Sequence, residues 1–253
     1  MKLGMEFEGK KIIVTGASSG IGRKTALRLS ELGAKLFLIA RREERLAEVV
    51  SELSGDGHAI YPADLSRIDT IERLVDAIVK EQGKLDGMVY SAGISKNMPL
   101  MQCKPRNVKE IFEINFFGFV EIVRQICRRG RFNERMRIVG VSSTASLRGM
   151  KGNTVYSASK AAMDGAVRSM AKEIADKGIC INTVAPGMTR TDMWDAFLKR
   201  YGEDSDSVKD MMHDQYLGLI ETDDVADAII FLLSQRARFI TGFSLPLGGG
   251  KLT

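Results

Sequence analysis

Histidine is nearly absent from this chain of 253 residues: His58 and His213 are the only two. Neither sits in a nucleophile motif, so the pattern supplies no base for a Ser/His/Asp triad. Two separated histidines also exclude a histidine-rich metal site, and no metal is expected. Cysteine is as sparse. Cys103, Cys127 and Cys180 are odd in number, far apart and form no CxxC pair, which excludes a readable disulfide framework or zinc ribbon. Long apolar runs are missing too. The best, Ile111 to Val123, is interrupted by Glu113, Asn115 and Glu121 and is too short to span a bilayer. The opening MKLGMEFEGKK carries acidic residues where a secretion signal needs an apolar core. The expectation is a cytoplasmic protein with no membrane partner.

What is present is ordinary in amount and informative in order. Hydrophobic residues make up 44% and charged residues 27%, which excludes disordered and low-complexity classes. The 37 basic and 32 acidic residues leave a net charge of +5, enough to favour anionic ligands. No nucleic-acid motif or aromatic stacking platform accompanies that charge, so nucleic acid is not an expected partner.

Short apolar runs alternate with longer amphipathic stretches. Lys11–Thr15, Lys35–Ala40, His58–Pro62, Leu85–Tyr90, Met136–Ser142, Ile179–Val184 and Phe243–Leu247 read as strands. Helical spacing covers about 22–32, 43–53, 68–81, 106–129, 154–177 and 223–233. Repeated βα units imply parallel strands joined by right-handed crossovers. The expected fold is α/β: one doubly wound Rossmann-type domain over 1–253, with a mainly parallel sheet and helices on both faces. Residues 188–220 break the alternation and carry Trp194, Phe197, Tyr201, Met211, Met212, Tyr216 and Leu217. They read as a helical lid over a substrate pocket, with methionines adapting to an apolar ligand.

Directly after the first strand stands TGASSGIG, Thr15 to Gly22. Gly16, Gly20 and Gly22 allow a tight turn and close approach of backbone to a pyrophosphate, and the next helix offers its positive end. Ser18, Ser19 and Ile21 complete this candidate cofactor loop. At the tip of the second strand a site for NAD places a carboxylate, whereas the 2′-phosphate of NADP wants arginine. Here Arg41 and Arg42 follow Ala40, with no acid at the tip, so the expected cofactor is NADP(H).

Tyr156 and Lys160 are spaced i, i+4 and share one face of a helix, and Ser143 precedes them at the end of a strand. A free tyrosine, with a pKa of about 10, is a poor proton shuttle at neutral pH. An ammonium at about 4 Å contributes on the order of 4 kcal/mol at an effective dielectric of 20. That is enough to bring Tyr156 to roughly pH 7. Ser143 can hydrogen-bond a substrate oxygen on which charge develops.

With these motifs the chain resembles the short-chain dehydrogenase/reductase family over about residues 9–250, most nearly its 3-oxoacyl-[acyl-carrier-protein] reductases. The resemblance implies catalytic roles for Asn115, Ser143, Tyr156 and Lys160. It further implies adenine contact at Asp64 and Leu65, and cofactor contact at Ala92 and Gly93, where Ser91 stands in place of the usual asparagine. Pro186, Gly187, Thr189 and Thr191 resemble the turn that meets the nicotinamide end. The implied activity is NADP(H)-dependent reduction of a carbonyl, in a homo-oligomer (tetramer or dimer). Its substrate is a small-molecule or carrier-linked carbonyl. Thr154 and Val155 depart from the Gln and Asn those reductases carry before the tyrosine, which leaves another ketone open (a sugar or steroid). A non-catalytic NADP-binding regulator is the reading from another class. Arg124, Arg128, Arg129, Arg131, Arg135 and Arg137 crowd one helix end and the following loop, and the expectation is that only Glu134 opposes them. The cluster reads either as cations complementing a helix C-terminus or as a docking patch for an acidic carrier protein.

Overall fold

The structure, a computed structural model, describes residues 6–250. Seven strands form one sheet: β1 (Lys11–Thr15), β2 (Lys35–Ala40), β3 (Ala59–Pro62), β4 (Leu85–Tyr90), β5 (Phe132–Val141), β6 (Cys180–Pro186) and β7 (Ser244–Leu247). Their order is β3-β2-β1-β4-β5-β6-β7, and every neighbouring pair is parallel. Near-continuous apolar strands such as KIIVT and KLFLIA are what a sheet covered on both faces requires.

Strand alternation divides the core. Ile13, Met88, Tyr90 and Ile138 pack on one face with Phe119, Ile122, Met163 and Val167. Ile12, Val14, Val89 and Val139 pack on the other with Ala26, Leu29, Leu46, Val225 and Ile229. The first face is covered by α3 (Ile71–Gln82), α5 (Gly118–Ile126) and α7 (Thr154–Ile174). The second is covered by α1 (Gly20–Glu31), α2 (Glu43–Glu52) and α10 (Thr222–Leu233). Each fully buried aliphatic side chain contributes about 1.5–3 kcal/mol.

Chain order reverses between β1 and β4, so a crevice opens beyond the carboxyl ends of these strands, where ligands of such sheets bind. Three local departures from the sequence expectations matter there. The helix expected over 106–129 is broken: α4 (Pro105–Phe112) starts on a proline at its first turn, and a π-helical turn at Glu113–Phe117 separates it from α5. A short α6 (Ala145–Arg148) follows β5 directly. β5 itself starts at Phe132 rather than Met136, because Phe132 pairs with Leu85 across an irregularity before Arg137 pairs with Gly87.

Residues 188–220 hold α8 (Asp192–Tyr201) and α9 (Asp206–Met212). A parallel bridge between Thr189 and Ile220 makes the segment leave and return at one place. No helix among the described residues is long and apolar enough to cross a membrane.

Candidate active site

The glycine loop is built by close packing of backbone on backbone. The Thr15 hydroxyl oxygen accepts from the amides of Ser91 (3.1 Å) and Ala92 (3.2 Å), which ties the ends of β1 and β4 together. Gly16 has a φ of +64°, and a Cβ there would lie 2.8 Å from Ser91 and Ala92 backbone atoms. A Cβ on Gly22 would lie 2.4 Å from the Gly16 carbonyl oxygen. Ser19 precedes α1 in extended conformation, its side chain makes no capping bond, and no acid stands in the first turn. The positive end of α1 is therefore not answered by a side chain of its own cap, which suits a pyrophosphate.

Beside this loop lies a cavity of about 520 Å³, lined by Ser18, Ser19, Gly20, Arg42, Arg45 and Thr191 among others. Arg42 donates to the Ser18 hydroxyl at 3.3 Å. Arg41 does not line this cavity, and its charge acts on Asp64. Of the two arginines expected to meet a 2′-phosphate, Arg42 is the one that lines the cavity. Its guanidinium, the Ser18 hydroxyl and the open end of α1 fit a phosphorylated dinucleotide.

Asp64 accepts from the amide (3.0 Å) and hydroxyl (2.8 Å) of Ser66, so its carboxylate closes a turn. Burial pushes its pKa up, but these hydrogen bonds and the charges of Arg41 and Arg67 outweigh that and hold it below the usual range. Leu65 beside it is buried in the core.

Ser143 follows β5 and is buried, with its Oγ accepting from the Ala145 amide at 3.1 Å. Tyr156 and Lys160 lie on the first turns of α7. The Lys160 ammonium is buried, 5.9 Å from the centroid of the Tyr156 ring, and donates to the Val141 carbonyl at 2.7 Å. Burial lowers the Lys160 pKa to about 8, partly opposed by the charge of Asp164. For Tyr156 burial dominates and raises the pKa, while a hydrogen bond with Ser143 pulls it down. This corrects the expectation that the ammonium brings Tyr156 to neutrality. Burial outweighs the hydrogen bond with Ser143, and the net shift of the phenol is upward.

Asn115 lies in the π turn, fully buried. Its Oδ1 accepts from the Ile94 amide (2.9 Å), and its Nδ2 donates to the Ile94 carbonyl and the Ser159 hydroxyl (both 3.0 Å). The π turn displaces the backbone hydrogen bonding, and the Ile114 carbonyl accepts from the Tyr90 hydroxyl at 2.6 Å. A Cβ on Gly93 would meet Asn115 Oδ1 at 3.1 Å and Lys160 Nζ at 3.4 Å, so glycine there leaves both groups room.

Pro186 ends β6, and Gly187 and Met188 lead into the 188–220 segment. Gln215, which sequence reasoning missed, pins this turn. Its side chain accepts from the Met188 amide (2.8 Å) and donates to the carbonyls of Met188 (2.9 Å) and Gly218 (2.7 Å). The Thr189 hydroxyl donates to the Gly187 carbonyl at 3.2 Å. Thr191 caps α8, accepting from the Trp194 amide at 3.4 Å, and its methyl group faces Gly20. Trp194, Phe197 and Tyr201 form a ladder of rings with centroids 5.8 and 4.6 Å apart. Arg148 of α6 bonds Asp214, just beyond α9, which ties the stretch after Ser143 to the 188–220 segment.

Asn153 was also missed. It stands before the first residue of α7, where asparagine ordinarily caps, yet it makes no capping bond. It is buried, and among the described residues its Oδ1 has no partner. Asn153, Tyr156 and Lys160 are spaced i, i+3 and i+7, one stripe of the helix.

The arginine cluster is dispersed by the fold. Arg124 pairs with Glu121, Arg128 with Glu72, Arg131 with Asp76, and Arg137 is buried with its guanidinium on the Arg135 carbonyl. The expectation that only Glu134 opposes these charges fails, because α3 brings Glu72 and Asp76 alongside.

Comparison with known proteins agrees with this architecture. The family described as Enoyl-(Acyl carrier protein) reductase matches residues 16–251. The chain is 34% identical over 246 residues to the 3-oxoacyl-[acyl-carrier-protein] reductase FabG of Vibrio cholerae, covering 97% of this chain and 98% of that one. It is 32% identical over 253 residues to an L-xylulose reductase of Caenorhabditis elegans, covering 99% and 98%. A crystal structure of a short chain dehydrogenase from Burkholderia cenocepacia in complex with NADP superposes with a TM-score of 0.89. It is 28% identical and the match covers 98% of this chain and all of that one. The overall fold, with its parallel sheet, is thus shared with these proteins. The chain belongs to the short-chain dehydrogenase/reductase family, resembles its 3-oxoacyl-carrier-protein reductases, and is an oxidoreductase acting between alcohol and carbonyl.

Proposed function

We propose that this enzyme reduces a ketone to an alcohol with NADP(H), and that its substrate is a 3-oxoacyl thioester on an acyl carrier protein or a close small-molecule equivalent. The observation that carries the chemistry is the meeting of Ser143, Tyr156 and Lys160 beside Gly93 and the glycine loop. NADPH, when bound, supplies the hydride. The open start of α1 and the glycine backbone hold the pyrophosphate, and Arg42 with Ser18 holds the 2′-phosphate. Pro186, Gly187, Thr189 and Thr191 border the nicotinamide end.

Ser143 orients the substrate oxygen and Tyr156 donates its proton there as charge develops. A phenol whose pKa is raised by burial stays protonated at neutral pH, the state a proton donor needs. Lys160 stabilises the phenolate left behind, and Asn115 keeps the Ile94 loop against α7 so that the lysine has a fixed path to solvent. Residues 188–220 act as the lid of this single domain. The enzyme works in the cytoplasm as a homo-oligomer, for which exposed Val108 and Phe117 on one side and Phe231, Phe239 and Phe243 on another offer apolar contact.

A second reading is favoured by Asn153. Its unpartnered amide oxygen, three residues before Tyr156, suits a substrate with a hydroxyl beside the carbonyl, as in a sugar ketone. The test is NADPH consumption with acetoacetyl thioester on carrier protein, run beside a hydroxylated ketone such as L-xylulose, with NADH as second cofactor. Turnover of the thioester supports the first reading, and turnover of the sugar alone replaces it with the second. Arg42→Ala is expected to raise the KM for NADPH about 10–100-fold, through loss of a charge-assisted bond, with little change for NADH. Equal effects on both cofactors would remove Arg42 from the 2′-phosphate site.

A pH dependence follows. The Lys160 ammonium, depressed to about 8, is lost as pH rises through that value. Reductive kcat/KM is therefore expected to be level below pH 8 and to fall above it, measured between pH 6 and 10. A limb near lysine's ordinary pKa of about 10.4 would contradict this.

A further inference from the structure

Asp164 takes no part in the chemistry described above, yet it is a carboxylate with only 3% of its surface exposed, one helical turn beyond Lys160. A buried carboxylate persists only where hydrogen bonds replace its hydration. Asp164 obtains them from three hydroxyls. Oδ2 accepts from Ser142 at 2.9 Å and from Ser146 at 2.6 Å, and Oδ1 accepts from Thr183 at 2.7 Å.

The placement of these donors is specific. Ser142 immediately precedes Ser143 and Ser146 lies three residues after it, so a single oxygen grips the chain on both sides of that serine. Thr183 belongs to β6, whose register pairs it with Gly140 of β5. One carboxylate on α7 thereby fastens β5, α6 and β6 to the helix that carries Tyr156 and Lys160. We infer that Asp164 is a positioning residue, which fixes the Ser143 loop against the catalytic helix and supplies the negative charge nearest to Lys160.

The inference rests on the proposed roles of Ser143, Tyr156 and Lys160. The charge argument follows from what surrounds Lys160. From α7 it is faced by the Tyr156 phenol and by Asp164, from β5 by the neutral Val141 carbonyl, and across Gly93 by the neutral Asn115 amide. A negative charge near a lysine favours its protonated form, so removing that charge lets burial depress Lys160 further.

The experiment compares Asp164→Asn, nearly equal in shape but uncharged, with wild type and Asp164→Glu. The readouts are kcat and KM for the ketone turned over, the pH profile of kcat/KM, the dissociation constant of NADPH from fluorescence, and the melting temperature. In the Asn variant kcat is expected to fall about tenfold or more, by loss of Ser143 preorganisation. Its alkaline limb is expected about one unit lower. NADPH affinity is expected to change less than about threefold, because no phosphate contact is touched. The Glu variant, which keeps the charge, is expected to hold the wild-type limb.

Unchanged kcat, or a reduced kcat with an unshifted limb, overturns the inference. If the Asn variant does not fold, the double variant Ser142→Ala/Ser146→Ala takes its place. It releases the loop without touching the charge, so kcat should fall with the limb unmoved, and a wild-type kcat overturns the inference. A Tyr156→Phe control separates the two levels of argument. Should that control stay active, the reading of the site fails rather than the role of Asp164.

Discussion

Replacing Tyr156 with phenylalanine is expected to lower kcat by roughly 10²–10⁴-fold, the usual contribution of a positioned proton donor, while NADPH binding stays close to wild type. The phenylalanine ring keeps the packing against α7 and the distance of 5.9 Å to the Lys160 ammonium, and only the hydroxyl is lost. Ser143 loses a hydrogen-bond partner but retains the Ala145 amide, so the loop after β5 keeps its conformation. The loss should appear in kcat and kcat/KM together, the pattern of a group whose interaction is made in the transition state. Stopped-flow mixing with NADPH and a saturating ketone would measure it directly. A variant within about threefold of wild type would remove Tyr156 as the donor.

The second large effect concerns Gly22, and its sign is the informative part. Gly22 is in the first turn of α1, where replacing glycine by alanine ordinarily stabilises a helix by about 1 kcal/mol. Here the added Cβ would stand 2.4 Å from the Gly16 carbonyl oxygen and 3.1 Å from that of Thr15. Both obstacles are backbone, and Gly16 is itself pressed against Ser91 and Ala92. The loop must move as a unit, at a cost of about 1–3 kcal/mol for overpacking. In a chain of this length that lowers the melting temperature by about 2–4 °C for each kcal/mol.

The displaced backbone is the one proposed to meet the pyrophosphate, so the dissociation constant for NADPH should rise about tenfold or more. Gly165→Ala is the control. It lies in α7 with only the tip of Arg168 within reach, at 3.7 Å, and should stabilise the protein. Equal melting temperatures and equal NADPH affinities for Gly22→Ala and wild type would show that the close contact carries no weight.

Much of the architecture was legible before any coordinates, and the reason is periodicity. Apolar runs of four to six residues such as KLFLIA, separated by helical spacing, admit few arrangements other than a parallel sheet with covered faces. Tyr156 and Lys160 share a helix, so their common face follows from spacing alone. The same holds for the glycine loop, which occupies consecutive residues at a strand-to-helix turn.

What escaped the sequence depends on residues brought together from distant parts of the chain. Asp164 reads as an unremarked acid on a helix until β5 and β6 bring Ser142, Ser146 and Thr183 to it. Gln215 gains its meaning only when the 188–220 segment returns to Met188. The π turn around Asn115 is set by tertiary demands, with Tyr90 satisfying the Ile114 carbonyl from the neighbouring strand. The arginines at 124–137 look like an unopposed patch in sequence and become ion pairs once α3 lies beside α5.

The sequence alone therefore determined the sheet, the cofactor loop and the pairing of Tyr156 with Lys160, because local spacing and strand patterning act over a few residues at a time. The tertiary structure decided which arginine lines the cavity beside the glycine loop, which groups surround the ammonium and in which direction the phenol's pKa moves. Those outcomes depend on burial and on partners far apart in the chain, and an electrostatic balance of that kind exists only once the surrounding water has been excluded.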